Sequence, residues 1–162
     1  MIISSIKYEY LRYKKLAEGA IAQVPDNALN KPVDEYNNSA SILIRHLSGN
    51  LRSRFTDFLT SNGEKSWRKR EAEFEEQKLT RKELIGIWDE SWFTLLTSLD
   101  ELNDKDLNRI VTIREKDLLV VDALHSSLAH LCYHVGQIIL IARIITGKYW
   151  KNLSIPKVQK DN

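Results

Sequence analysis

One cysteine, Cys132, stands in a chain of 162 residues, which excludes an internal disulfide and a CxxC redox pair. Glycine and proline are sparse, at 6 and 3 residues, and neither GxxxxGK[ST] nor GxGxxG occurs. The backbone cradles that hold nucleotide phosphates are therefore missing. A surplus of one charge is missing too: 24 Lys+Arg against 22 Asp+Glu leave a net charge of +2. The densest basic cluster, Lys65 to Arg70, is followed at once by Glu71, Glu73, Glu75 and Glu76, so it reads as a solvated or self-paired segment and not as a nucleic-acid surface. No long apolar run opens the chain, because Lys7, Glu9, Arg12, Lys14 and Lys15 interrupt it before signal-peptide or membrane-span length. These absences lead to the expectation of a cytoplasmic protein with no nucleic acid and no membrane among its partners.

The 43% hydrophobic and 28% charged content is that of a globular domain. The length suits one domain over residues 1–150, with a loosely held tail over 151–162 that carries Lys151, Lys157 and Lys160. Ile3, Ile6, Tyr10, Tyr13, Ala17, Ala20 and Val24 recur at three- and four-residue steps, predicting a first amphipathic helix halted near Pro25. The Asn37-Asn38-Ser39 cluster predicts the cap of a second helix carrying Leu43, His46, Leu47, Leu51, Phe55 and Phe58, stopped by Ser61-Asn62-Gly63. Thr80 and Glu83 fit a capping box for a third helix with Leu84, Ile87, Trp88, Trp92, Leu95 and Leu99 on its apolar stripe.

The period then changes. Ile110-Val111-Thr112-Ile113 and Leu118-Leu119-Val120-Val121 flank the polar turn Arg114-Glu115-Lys116-Asp117 and predict a small β-hairpin. A fourth helix, with Asp122 as its N-cap, is expected to run to Thr146, where Gly147 supplies the stop. Apolar on most sides, it is expected to be the central helix. The fold class expected is all-α: an antiparallel four-helix bundle with the hairpin between helices 3 and 4.

His130 and His134 lie four residues apart on that fourth helix, one above the other on a single face. At about 100° per residue, Gln137 shares their face, whereas His125 points away from it. Cys132, two residues from each histidine, points roughly 160–200° away and is expected to be a buried small apolar residue and not a catalytic thiol. His46, on the second helix, completes a candidate three-histidine metal site: His46, His130 and His134.

The helix-two stretch Arg45-His46-Leu47-Ser48-Gly49-Asn50 and the helix-four pattern His130-x-x-x-His134-x-Gly136-Gln137 resemble the DinB/YfiT-like family over nearly the whole chain. The stretch from Asp57 to Lys65, with Trp67-Arg68-Lys69-Arg70 and Glu73-Phe74, is similar more narrowly to an uncharacterised branch of that family. The resemblance implies a four-helix bundle, often a homodimer, that binds a divalent metal ion such as zinc or nickel through three histidines. Relatives of that kind include metal-dependent transferases that use low-molecular-weight thiols and a maleylpyruvate isomerase.

Three neutral imidazoles leave coordination positions open, and the simplest use of them is to bind and deprotonate a substrate thiol. Activation of water follows the same logic, so S-transferase and hydrolase stay equally open, as does a non-catalytic metal- or small-ligand-binding dimeric bundle. Candidate catalytic or orienting residues are Gln137, Arg54 and Asn50. Gln137 suits the orientation of a ligand imidazole or an interhelical hydrogen bond, and Arg54 either holds a substrate carboxylate or lies at the surface. Trp67, Arg68 and Arg70 form a pocket wall or a loop packed on the end of the bundle.

Overall fold

The computed structural model of the chain describes residues 2–155. It contains four helices, α1 (Ile2–Ile21), α2 (Ala40–Phe55), α3 (Arg81–Glu101) and α4 (Val120–Thr146), with strands β1 (Ile110–Ile113) and β2 (Lys116–Leu119) between α3 and α4. The helices share one continuous core in which Tyr10, Leu47, Trp88, Trp92 and Leu95 are fully enclosed.

Side-chain contacts give the helix directions. Lys7 near the start of α1 pairs with Asp100 near the end of α3, and Arg81 at the start of α3 bonds the carbonyls of Ile21 and Val24 at the end of α1, so these two helices are antiparallel. Tyr10 donates to the Leu124 carbonyl (3.2 Å) near the start of α4, and Gln23 contacts Lys151 beyond its end, so α1 and α4 run the same way. His46 meets His130 in mid-helix while Phe55 and Ala123 share a cavity, so α2 opposes α4. With α1 and α4 pointing one way and α2 and α3 the other, the crossover over residues 56–80 must travel back along the bundle. It does so over the outer face of α2.

That path explains why α2 is more enclosed than an amphipathic helix should be: Arg45, Ser41, Ser48, Asn50 and Ser53 are buried with its apolar residues. Arg45 anchors the crossover by donating to the carbonyls of Glu75 (2.7 Å) and Ala72. By contrast α4, the helix expected to be central, leaves Tyr133, Leu140 and Ile144 exposed, and it is long and apolar enough to cross a membrane by length and composition alone.

The caps follow local chemistry. Ser39 caps α2 by accepting from the Ile42 amide (3.2 Å), and Thr80 with Glu83 forms the expected capping box on α3. Three boundaries differ from the sequence reading. Helix α2 ends at Phe55, before Phe58, because Thr56 turns extended with its hydroxyl on the Arg52 carbonyl (2.7 Å) and Asp57 adopts φ 51°. Strand β2 begins at Lys116, since Arg114 and Glu115 both have positive φ (52° and 61°) and make a two-residue hairpin turn whose twist suits the strands. Helix α4 starts at Val120 and not after Asp122, because β2 runs straight into it and the Val120 amide bonds the Arg109 carbonyl (2.9 Å). Asp122 instead sits in the first turn, where its charge favours the helix N-terminus.

The start of the tail is docked. Lys151 N–H donates to Gln23 (2.7 Å), and Leu153 lies so close to Gly19 that a Cβ there would meet its Cδ2 at 2.8 Å. The rest of the tail, including Lys157 and Lys160, lies outside the described residues.

Candidate metal centre

His46 from the middle of α2 and His130 with His134 from α4 converge, their potential ligand nitrogens all within 4.8 Å of one another. His46 Nε2 and His130 Nε2 are 3.2 Å apart, and the three ring centroids are separated by 4.7 to 5.2 Å. Two nitrogens bound to one tetrahedral ion at ordinary zinc–nitrogen distances sit about 3.3 Å apart, so the observed separations bracket the required spacing. His125 is exposed on α4 and takes no part.

The tautomers are set by the neighbours. His46 Nδ1 is 2.9 Å from Glu73 Oε2, and His134 Nδ1 is 2.7 Å from Gln137 Oε1. Both partners are acceptors, so each Nδ1 carries the proton and each Nε2 keeps its lone pair free for a ligand bond. Burial, the neighbouring histidines His134 and His46, and the cations Arg54 and Arg68 push His130 down to about 3; burial likewise lowers His134, against the bond to Gln137. Neutral imidazoles are what a divalent ion requires. The donor set therefore fits such an ion in number and spacing, with the tautomer set by neighbours for His46 and His134 and the charged form disfavoured for His130 and His134.

Glu73 is the residue that sequence reasoning missed. It lies in the acidic run taken as solvated or self-paired, and it is indeed paired: Arg68 Nε donates to its Oε1 (2.7 Å) and a second Arg68 nitrogen to its Oε2 (2.9 Å). Burial opposes the ionisation of Glu73, but the hydrogen bonds from His46 and Arg68 outweigh it and hold the carboxyl below its usual range. The carboxylate reaches His46 because residue 49 is glycine: a Cβ at Gly49 would come within 2.8 Å of Glu73 Cδ. Phe74 packs on the His46 ring (centroids 4.8 Å) and Tyr133 on His134 (4.1 Å).

Beside His130 lies a cavity of about 270 Å³ lined by Asn50, Arg54, Arg70, Arg114 and Tyr133, among others. Two of the sequence candidates, Arg54 and Asn50, thus share a cavity with a metal-ligand candidate, and the third, Gln137, orients His134. Arg68 is buried against Glu73 and Ser53, and Trp67 is half exposed under the Arg52 guanidinium (5.0 Å), so of the suggested wall residues only Arg70 lines the cavity. Cys132 is partly buried, with its thiol pushed up by burial. A larger groove of about 740 Å³, lined by Asn30, Glu76 and Arg81, contains none of the histidines.

A family model described as "Protein of unknown function (DUF1572)" matches residues 2–159. No curated protein and no solved structure matches the chain.

Proposed function

We propose that this chain, which belongs to the DUF1572 family, is a metal-dependent enzyme of the DinB/YfiT-like kind, acting on a small molecule through His46, His130 and His134. The observation that carries the reading is the pair of fixed tautomers, Glu73 on His46 and Gln137 on His134, which leave both Nε2 atoms with a free lone pair in a cluster with His130 whose ligand nitrogens lie within 4.8 Å of one another. Zinc or nickel suits three imidazoles, and either ion would lower the pKa of a thiol or water reaching an open coordination position.

The protein's own residues have separable tasks. Glu73 and Gln137 hold the ligand rings, Arg68 holds Glu73, and Phe74 and Tyr133 pack against the His46 and His134 rings. Asn50 and Arg54 face the cavity in which a substrate would lie. A thiol S-transferase is the preferred reaction, with hydrolysis as the second. A non-catalytic metal-binding bundle is the competing reading from a different class. The same proposal has the protein cytoplasmic and homodimeric, the exposed Leu140 and Ile144 of α4 supporting an apolar interface.

Metal analysis of untagged protein, followed by a screen of the loaded protein with several biological thiols and electrophiles, tests this. We expect close to one equivalent of a transition metal and turnover that disappears in His134→Ala. Uptake below about a tenth of an equivalent would remove both metal readings, and equal turnover in the variant would remove catalysis through this centre.

A further inference from the structure

We propose that the cavity beside His130 selects a small organic anion, whose carboxylate or phosphate group is held by Arg54, Arg70 and Arg114. The inference rests on the reading of the three histidines as a catalytic metal site and adds the class of substrate.

Three separate elements bring these guanidinium groups to one hollow: Arg54 from the last turn of α2, Arg70 from the crossover and Arg114 from the hairpin turn. No Asp or Glu is among the described residues lining it. Elsewhere among the described residues five arginines are ion-paired, Arg12 with Glu9, Arg52 with Glu90, Arg68 with Glu73, Arg81 with Asp26 and Arg109 with Asp106, and Arg45 donates to two backbone carbonyls; the exposed Arg143 of α4 alone has neither kind of partner. In the cavity only Arg114 has an ion pair, a long one of 3.5 Å to the half-exposed Glu64, whereas the side chains of Arg54 and Arg70 make no hydrogen bond or ion pair among the described residues.

Gathering like charges beside a metal-ligand candidate costs free energy, and Arg54 is partly buried besides; an anion is what would offset this. The arrangement is also braced. Gly63 N–H donates to the Thr112 carbonyl (2.9 Å), and Asn62 Oδ1 accepts from the amides of Arg114 (3.2 Å) and Glu64 (3.0 Å), tying the loop after α2 to the hairpin. Gly63 lies against Arg54, where a Cβ would meet its Cδ at 3.4 Å. Guanidinium forks match planar carboxylates and phosphates, and a volume of about 270 Å³ admits a metabolite-sized molecule but not a polymer. Asn50 lines the same hollow and offers an amide for orientation. An anion held there would lie in the same hollow as His130, one of the three residues that would hold the ion.

Calorimetric titration of the zinc-loaded full chain at low ionic strength tests this, with succinate, inorganic phosphate and neutral succinamide as probes. Succinate or phosphate should bind and succinamide should not, and the tighter of the two anions identifies the headgroup. Arg70→Gln and Arg114→Asn should each weaken binding roughly tenfold, and Arg54→Gln more, with zinc content unchanged. Asparagine is chosen at 114 because it tolerates the positive φ there. Arg70 and Arg114 lie at the surface, so those two variants carry the test if Arg54→Gln misfolds. Unchanged affinity in both surface variants, equal binding of succinamide, or no binding of either anion would overturn the proposal. Zinc content on the same samples keeps the two ideas apart: zinc retained without anion binding sinks only this inference, and anion binding without zinc sinks only the metal reading.

Discussion

Two of the three candidate ligand imidazoles, His46 and His134, are governed by an atom outside the ligand set. Glu73→Gln keeps the size and an acceptor for His46 Nδ1 but removes the charge shared with Arg68, so zinc affinity measured by chelator competition should fall about 10- to 100-fold. An affinity unchanged within twofold would mean that the carboxylate does not tune the ligand. The protonation pattern gives a second expectation. His130 and His134 are lowered in the folded state, so the unfolded chain takes up their protons first as pH falls. Their contribution to stability is complete above the ordinary histidine value of 6.5 and is lost progressively toward the folded value of about 3 for His130. Glu73, also lowered, acts in the same direction at more acid pH. The metal-free protein should therefore melt at progressively lower temperature from pH 7 to pH 5; a melting temperature that rises over that interval would contradict the neutral, buried state of these rings. The histidines were legible in the sequence because i, i+4 spacing on a helix fixes a common face. Glu73 was not, since its partner His46 is 27 residues away and its neighbours Glu71, Glu75 and Glu76 look like water-facing residues.

Among the elements, α2 departs most from its sequence pattern, and Arg45 and Gly49 are the marks it left. A buried arginine and a mid-helix glycine make little sense on a helix facing solvent, and both are accounted for by the crossover lying on top of it. Glycine-to-alanine changes separate this role from simple helix propensity. Gly136→Ala on α4 meets nothing within 4 Å and should stabilise by about 0.5–1 kcal/mol, the ordinary gain in a helix. Gly49→Ala should instead destabilise by about 1–3 kcal/mol in urea titration, because Glu73 must give up His46 or Arg68 to make room. A gain in both variants would show that the crossover does not press on α2. The four helices and the hairpin themselves follow from periodicity and capping residues, while the start of α4 was misplaced because the Val120 amide is satisfied by the Arg109 carbonyl, just before β1, which no local pattern reveals.

For the molecule as a whole, the ligands come from helices of opposite direction, and His46 and His130 are 84 residues apart in sequence. An ion held between them binds the folded chain and not the unfolded one, contributing about 2.7 kcal/mol at a free concentration a hundredfold above its dissociation constant. Zinc should accordingly raise the melting temperature by about 5 °C or more, reversibly with a chelator, and should leave His134→Ala unshifted. An equal shift in that variant would place the bound zinc elsewhere. The hairpin has a different standing in this architecture. Its exposed turn at Arg114 and Glu115 presents Arg114 to the cavity, while Val111, Ile113 and Leu118 of its strands pack into or against the core. Evolution can therefore vary the charge or reach of that turn among descendants, changing which compound is accepted while the imidazoles stay where they are.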